Sequence, residues 1–226
     1  MARESVGEVV GRTLRSIAGA VTKPAFWIAS LFIVGSTCFA LGAFPPYASW
    51  LGATGDGITY FVGSVFFTAA AALQFQQSRG RMAWWASLVQ LVGTVFFNRS
   101  TFQALDLTLT AAQADRHVWT PDVLGSIAFL VSSVIGCADI RRPSRRAPLS
   151  RDWWSAWLNL FGSVAFGVSA AASYVVIDTD TLRNAERANL GTFVGALCFL
   201  VGAVLILPRT PAQEEAGQRD SSRPHG

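Results

Sequence analysis

The chain has 226 residues, 51% of them hydrophobic and only 14% charged, with a net charge of +4. A soluble globular domain carries about 25% charged residues, so the composition excludes an ordinary soluble fold and points to the bilayer. Nor is the basic excess a nucleic-acid footprint, because the arginines fall in alternate connections, where they orient a membrane protein.

Residues 1–24 place Val6, Val9, Val10, Leu14, Ile17 and Val21 at a helical period opposite Arg3, Glu4, Glu8, Arg12 and Arg15. This pattern predicts an amphipathic segment at the cytoplasmic interface, with docking to a protein partner as the alternative. Six apolar stretches follow, at 25–44, 57–75, 82–97, 123–138, 153–176 and 190–207. A bilayer core of ~30 Å needs ~20 helical residues, and the third and fourth stretches reach that length only with their flanks. The first is too long for a signal-peptide core and is read as a retained span.

The connections alternate in charge. Residues 45–56 (PPYASWLGATGD) are expected to be a short outer turn, with Pro45 and Pro46 stopping the first helix. Residues 76–81 (QQSRGR) predict a tight inner turn at Gly80. Residues 98–122 form the longest outer connection. Phe102, Leu105, Leu109 and Ala112 predict a helix there, as a continuation of the third span or a separate piece, and Thr120 or Asp122 is placed to cap the fourth. Residues 141–152 (RRPSRRAPLSRD) are a basic inner linker suited to anionic lipid headgroups. Residues 177–187 are the last outer loop, and residues 209–226 have too little apolar surface to fold. Under the positive-inside rule both termini are cytoplasmic, in a plasma membrane.

An internal repeat underlies these spans. FWIASLFIVGSTCF (26–39), WWASLVQLVGTVFF (84–97) and WWSAWLNLFGSVAF (153–166) align without gaps. Each opens on an aromatic pair and reaches Gly35-Ser36, Gly93-Thr94 or Gly162-Ser163. A second set, GSVFFTAAA, GSIAFLVSS and GALCFLVGA, starts at Gly63, Gly125 and Gly195. The expected fold is therefore all-α, an integral membrane six-helix bundle of three repeated transmembrane hairpins. Its units fall at about 25–76, 82–140 and 153–208, within a domain of residues 25–208.

The same repeat supplies the candidate site. Gln90, Gly93, Thr94 and Phe97 share one face of the third span, and Asn159, Gly162, Ser163 and Phe166 share the equivalent face of the fifth. Gln90 and Asn159 occupy one repeat position, where the first unit has Phe32. Small and hydroxyl residues on such faces let helices approach and bond. The functional alternative is a polar site near the midplane, lined by Gln90 and Asn159 and extended by Ser132, Ser133 and Ser169. No Asp, Glu, Lys, Arg or His is expected deep in a span. Asp122 and Asp139 are placed at helix ends, the latter with Arg142 three residues on.

Asp106, Asp115, His117, Asp122, Asp178, Asp180 and Glu186 collect in the outer connections but match no metal-ligand spacing. Cys38, Cys137 and Cys198 fall within spans and read as small buried hydrophobes. The chain has no nucleophile elbow, zinc-protease, phosphate-loop or CxxC motif, so neither an enzyme nor a cofactor or metal is expected.

On FWIASLFIVGSTCFALGAF, WWASLVQLVGTVFFNRSTFQAL with VWTPDVLGSIAFLVSS, and WLNLFGSVAFGVSAAAS, the chain resembles the YrhK-like family of bacterial membrane proteins, most of all its multi-hairpin actinobacterial members. The resemblance covers most of residues 25–207. It implies a helical-hairpin membrane domain and carries no functional residue with it. The reading favoured by the sequence is a non-catalytic structural or regulatory membrane component. The competing one is a channel or carrier for a small uncharged solute. A close-packed centre favours the first, and a continuous cavity lined by Gln90 and Asn159 the second. The partners expected are membrane lipid and a protein bound through the cytoplasmic segments, with no nucleic acid.

Overall fold

The computed structural model describes residues 19, 21–143, 147–176 and 181–208. The expected interfacial helix before residue 19, the tail 209–226, residues 144–146 of the 141–152 connection and residues 177–180 of the 177–187 connection lie outside these residues. Helix α1 (Pro24–Gly42) opens on a proline, whose missing N–H costs nothing at a first turn. It stops before Pro45, as expected.

Helix α2 (Pro45–Gln77) corrects the sequence reading of residues 45–56 as a turn. The prolines that stop α1 also start α2, since a fixed φ suits a first helical turn. One break interrupts it, at Gly52, with φ +70° and ψ 171°. Only glycine adopts that conformation without strain. Tyr47 Oη lies 2.9 Å from Thr59 Oγ1 and ties the turns on either side of the break. At the other end Gly80, with φ +86°, makes the reversal into α3.

Helix α3 (Arg81–Gln103) runs well beyond the predicted end of its apolar stretch. Its last turns are polar because they bond to neighbours. Asn98 Nδ2 donates to Thr68 Oγ1 at 2.7 Å, and Ser100 Oγ donates to the Val118 carbonyl at 2.8 Å. Of the two outcomes expected for residues 98–122, the continuation of α3 occurs but ends at Gln103; residues 104–110 are not helical, and the helix that begins at Ala111 belongs to the fourth span rather than to a separate piece.

That helix, α4 (Ala111–Ile140), corrects the expected cap at Thr120 or Asp122. Thr110 caps it instead, in a reciprocal capping box with Gln113. Its second segment is a π-helical turn, Asp115–Trp119, just ahead of Pro121. Proline lacks an N–H and crowds the preceding turn, so a widened turn lets the helix pass through it unbroken.

Ser150 caps α5 (Arg151–Ala172) by accepting from the Trp153 amide at 3.2 Å. Asn184 caps α6 (Ala185–Leu205) by accepting from the Arg187 amide at 2.9 Å. Between them β1 (Val175–Val176) pairs antiparallel with β2 (Thr181–Leu182). This small ladder departs from the all-α expectation. It gives backbone groups partners in a connection too short for a helix.

Among the described residues, five of these six helices are long and apolar enough to cross a membrane; α3 is the exception. Each helix packs on the next, and α6 returns to α1, so the six form a closed ring. Helices α1 and α2 run antiparallel, as the contacts Phe32–Phe67 and Phe39–Tyr60 require. The pairs α3/α4 and α5/α6 repeat the arrangement.

Each of these pairs meets at two facing glycines. A Cβ at Gly35 would lie 3.0 Å from the Gly63 carbonyl, one at Gly125 3.1 Å from that of Gly93, and one at Gly162 3.0 Å from that of Gly195. Each glycine is also covered by the phenylalanine four residues beyond the opposite glycine. Phe67 covers Gly35 and Phe39 covers Gly63. Phe129 and Phe97 do the same across α3/α4, and Phe199 and Phe166 across α5/α6. Small residues thus bring the backbones close, and the space left beside them is filled by a ring.

Candidate functional site

The facing glycines each begin a Gly-x-x-x-Phe element, one per helix, and its six phenylalanines, Phe39, Phe67, Phe97, Phe129, Phe166 and Phe199, are all buried. Their rings touch one another across the bundle. Phe97 lies 4.9 Å from Phe129, Phe39 lies 6.0 Å from Phe166, and Phe67 lies 5.9 Å from Phe199, mostly edge to face. Six rings from six surrounding helices therefore close the middle of the bundle with an apolar layer.

The residue three before each glycine lies on the same helix face, one turn away from this layer. Because successive helices run in opposite directions, these residues form two tiers. Phe32, Gln90 and Asn159 come from α1, α3 and α5 and face the end that carries Arg81, Arg141 and Arg151. Tyr60, Asp122 and Thr192 come from α2, α4 and α6 and face the other end.

Each tier borders a cavity. The first, about 600 Å³, is lined by Gln90 and Asn159 together with Gln74, Ser132 and Ser133. The second, about 420 Å³, is lined by Tyr60, Asp122, Ser169 and Thr192. The structure thus brings Gln90 and Asn159 together. It separates Ser132 and Ser133 from Ser169, so no single polar path joins the five residues.

The first cavity exists because the repeat is broken there. Its layer is apolar in the first unit, where Ile28 and Phe32 are buried. The equivalent positions are Ala86 and Gln90 in the second unit and Ser155 and Asn159 in the third. Replacing Ile and Phe by shorter side chains leaves the space open.

Hydroxyls around the site are spent on the helices themselves. Ser132 Oγ donates to the Ala86 carbonyl at 2.8 Å, and Ser155 Oγ to that of Gly202 at 3.0 Å. Ser163 Oγ lies 2.7 Å from the Asn159 carbonyl and 2.8 Å from Ser133 Oγ. Gly93, Thr94, Gly162 and Ser163 are buried packing positions, with Thr94 Oγ1 bonded back to the Leu91 carbonyl at 2.7 Å. The side-chain amides of Gln74, Gln90 and Asn159 differ: among the described residues they make no hydrogen bond.

Asp122 is the residue that sequence reasoning misplaced. The expectation put it at a helix end in the outer connection. It lies instead one turn from Gly125, at the repeat position held by Gln90 and Asn159 in their own helices, because α4 begins at Ala111 and carries it inward. The alignment of Gly125 with Gly93 already contained that signal. Asp139 Oδ1 and Arg142 Nη1 are 3.8 Å apart, the local pair expected from their spacing.

The outer carboxylates have separate tasks. Asp115 Oδ1 accepts from the Val175 amide at 3.0 Å, and Asp106 Oδ1 accepts from the Thr108 hydroxyl at 2.6 Å. Among the described residues no three His, Cys, Asp or Glu side chains gather where a metal ion would need them. No family model, curated protein or solved structure matches the chain.

Proposed function

We propose that the chain is a six-span plasma-membrane protein of three repeated transmembrane hairpins with both termini cytoplasmic. Its role is that of a non-catalytic structural or regulatory membrane component. The apolar helices and the interlocked Gly–Phe pairs support the architecture. Helix α3 counts as a span on its 23 residues, long enough for a ~30 Å core. Its low hydropathy comes from Gln90 and Asn98, which are part-buried in the bundle, and from Arg81 and Arg99 near its ends. The YrhK-like resemblance agrees with a hairpin domain.

The observation that carries the functional reading is the phenylalanine layer. Six buried rings in mutual contact leave no continuous polar route between the two ends. A carrier is the second reading, favoured by the polar cavities on opposite sides of that layer. Flux separates the two. The purified protein in liposomes is expected to leave glycerol and urea permeability, followed by stopped-flow light scattering, at the protein-free rate. Flux that is lost in a folded Gln90→Ala/Asn159→Ala variant would overturn the structural reading in favour of the carrier.

A further inference from the structure

The cavity of about 600 Å³ beneath the phenylalanine layer contains three primary amides from three different helices, Gln74 of α2, Gln90 of α3 and Asn159 of α5. Each has two N–H donors and a carbonyl acceptor. All three are part-exposed to the open cavity, where they bond to water or to a ligand that replaces it. The open volume is not forced by the fold, since the first repeat unit fills the same layer with Ile28 and Phe32.

We propose that this cavity is a binding site for a small neutral polyol, a sugar or sugar alcohol that enters from the arginine-bearing end. Four features of the lining define the class. The amides donate and accept at once, as vicinal hydroxyls do in return. Asp152 adds carboxylate oxygens that accept from hydroxyls, and Trp153 adds an aromatic face for the C–H side of a ring. Among the described residues that line it, none is Lys, Arg or His. Asp139 is already beside Arg142, which weakens the pull on a cation. The volume lies within the usual range of ~300–1,000 Å³ for small-molecule sites.

The site goes beyond the structural role and holds whether or not the phenylalanine layer opens. Binding and flux are therefore scored separately: polyol binding without flux leaves both readings standing, and flux without binding at this cavity overturns this proposal alone.

The test uses the full-length chain in nanodiscs, with myo-inositol and sorbitol as probes and putrescine and inorganic phosphate as counter-probes. Saturation-transfer NMR and calorimetry report binding. Saturable polyol binding is expected, with a rise in Tm. Gln90→Leu/Asn159→Leu should weaken it by at least ~10-fold while keeping Tm at or above that of the parent, as the apolar Phe32 of the same layer indicates. Gly136→Leu provides an independent check. Its Cβ would meet nothing within 4 Å and Gly136 lines the cavity, so the added side chain takes up cavity volume and should also abolish binding. No polyol binding by the folded parent, stronger binding of putrescine or phosphate, or binding that survives both variants would overturn the proposal.

Discussion

At the scale of single residues, Gly93 and Gly162 differ from Gly136 and Gly167 in what surrounds the missing Cβ. An added methyl would lie 2.8 Å from Phe129 Cδ1 at Gly93 and 2.9 Å from Phe199 Cδ2 at Gly162. At Gly167 it would meet nothing. Overpacking of this kind costs ~1–3 kcal/mol, whereas Gly→Ala in an unobstructed helix interior gains up to ~1 kcal/mol. Gly93→Ala and Gly162→Ala are therefore expected to lower unfolding stability in detergent titrations, and Gly167→Ala to maintain or raise it. Equal tolerance at the two kinds of site would refute the Gly–Phe interlock. The hydroxyls beside these glycines are not equivalent either. Ser36 Oγ is buried without a partner, whereas Ser163 Oγ has several, so Ser163→Ala should be the more costly of the two.

At the scale of elements, the start of α4 decides where Asp122 lies. The Thr110 capping box begins a helix that the π turn carries through Pro121. Thr110→Ala is expected to lose ~1 kcal/mol, the usual value of an N-cap, seen as fraying of Ala111–Ala114 by NMR. The turn before it depends on pH. The Thr108 hydroxyl and then its backbone amide, both donating to Asp106, hold that carboxyl below the ordinary aspartate range. A depressed acid pKa stabilises the folded turn above the unfolded value and loses that effect as pH falls through the folded one. The Thr108 amide resonance should accordingly remain constant from neutral pH down through the ordinary aspartate range, then shift as Asp106 protonates. Asp106→Ala should remove that transition.

At the scale of the whole molecule, the ring of six helices puts the 45–56 and 104–110 segments at one end and the 78–80 and 147–150 segments at the other. In a variant lacking Cys38, Cys137 and Cys198, cysteines at the exposed positions Thr54 and Ala112 should react with a membrane-impermeant maleimide on intact cells. Cysteines at the exposed positions Gln77 and Ala147 should react only after lysis. Labelling of Ala147→Cys from outside would invert the proposed topology.

The membrane class and the helical content were legible in the sequence because they rest on local quantities: apolar length and the spacing of apolar, Gly and aromatic residues. The same spacing placed Gln90 and Asn159 at one position, and the packing faces of Gly93-Thr94 and Gly162-Ser163 followed from helical geometry alone. Helix limits were less legible, at Pro45, at Ser100 and at Ala111, because prolines and polar residues read as breaks until their partners are known. The tertiary structure alone decided that the six phenylalanines meet. It also decided that Gln90 and Asn159 share one cavity and that Asp122 lies in another on the far side. These are relations between helices far apart in the chain. They depend on the closure of the ring and on the opposite directions of neighbouring helices, which the periodicity of a single helix does not contain.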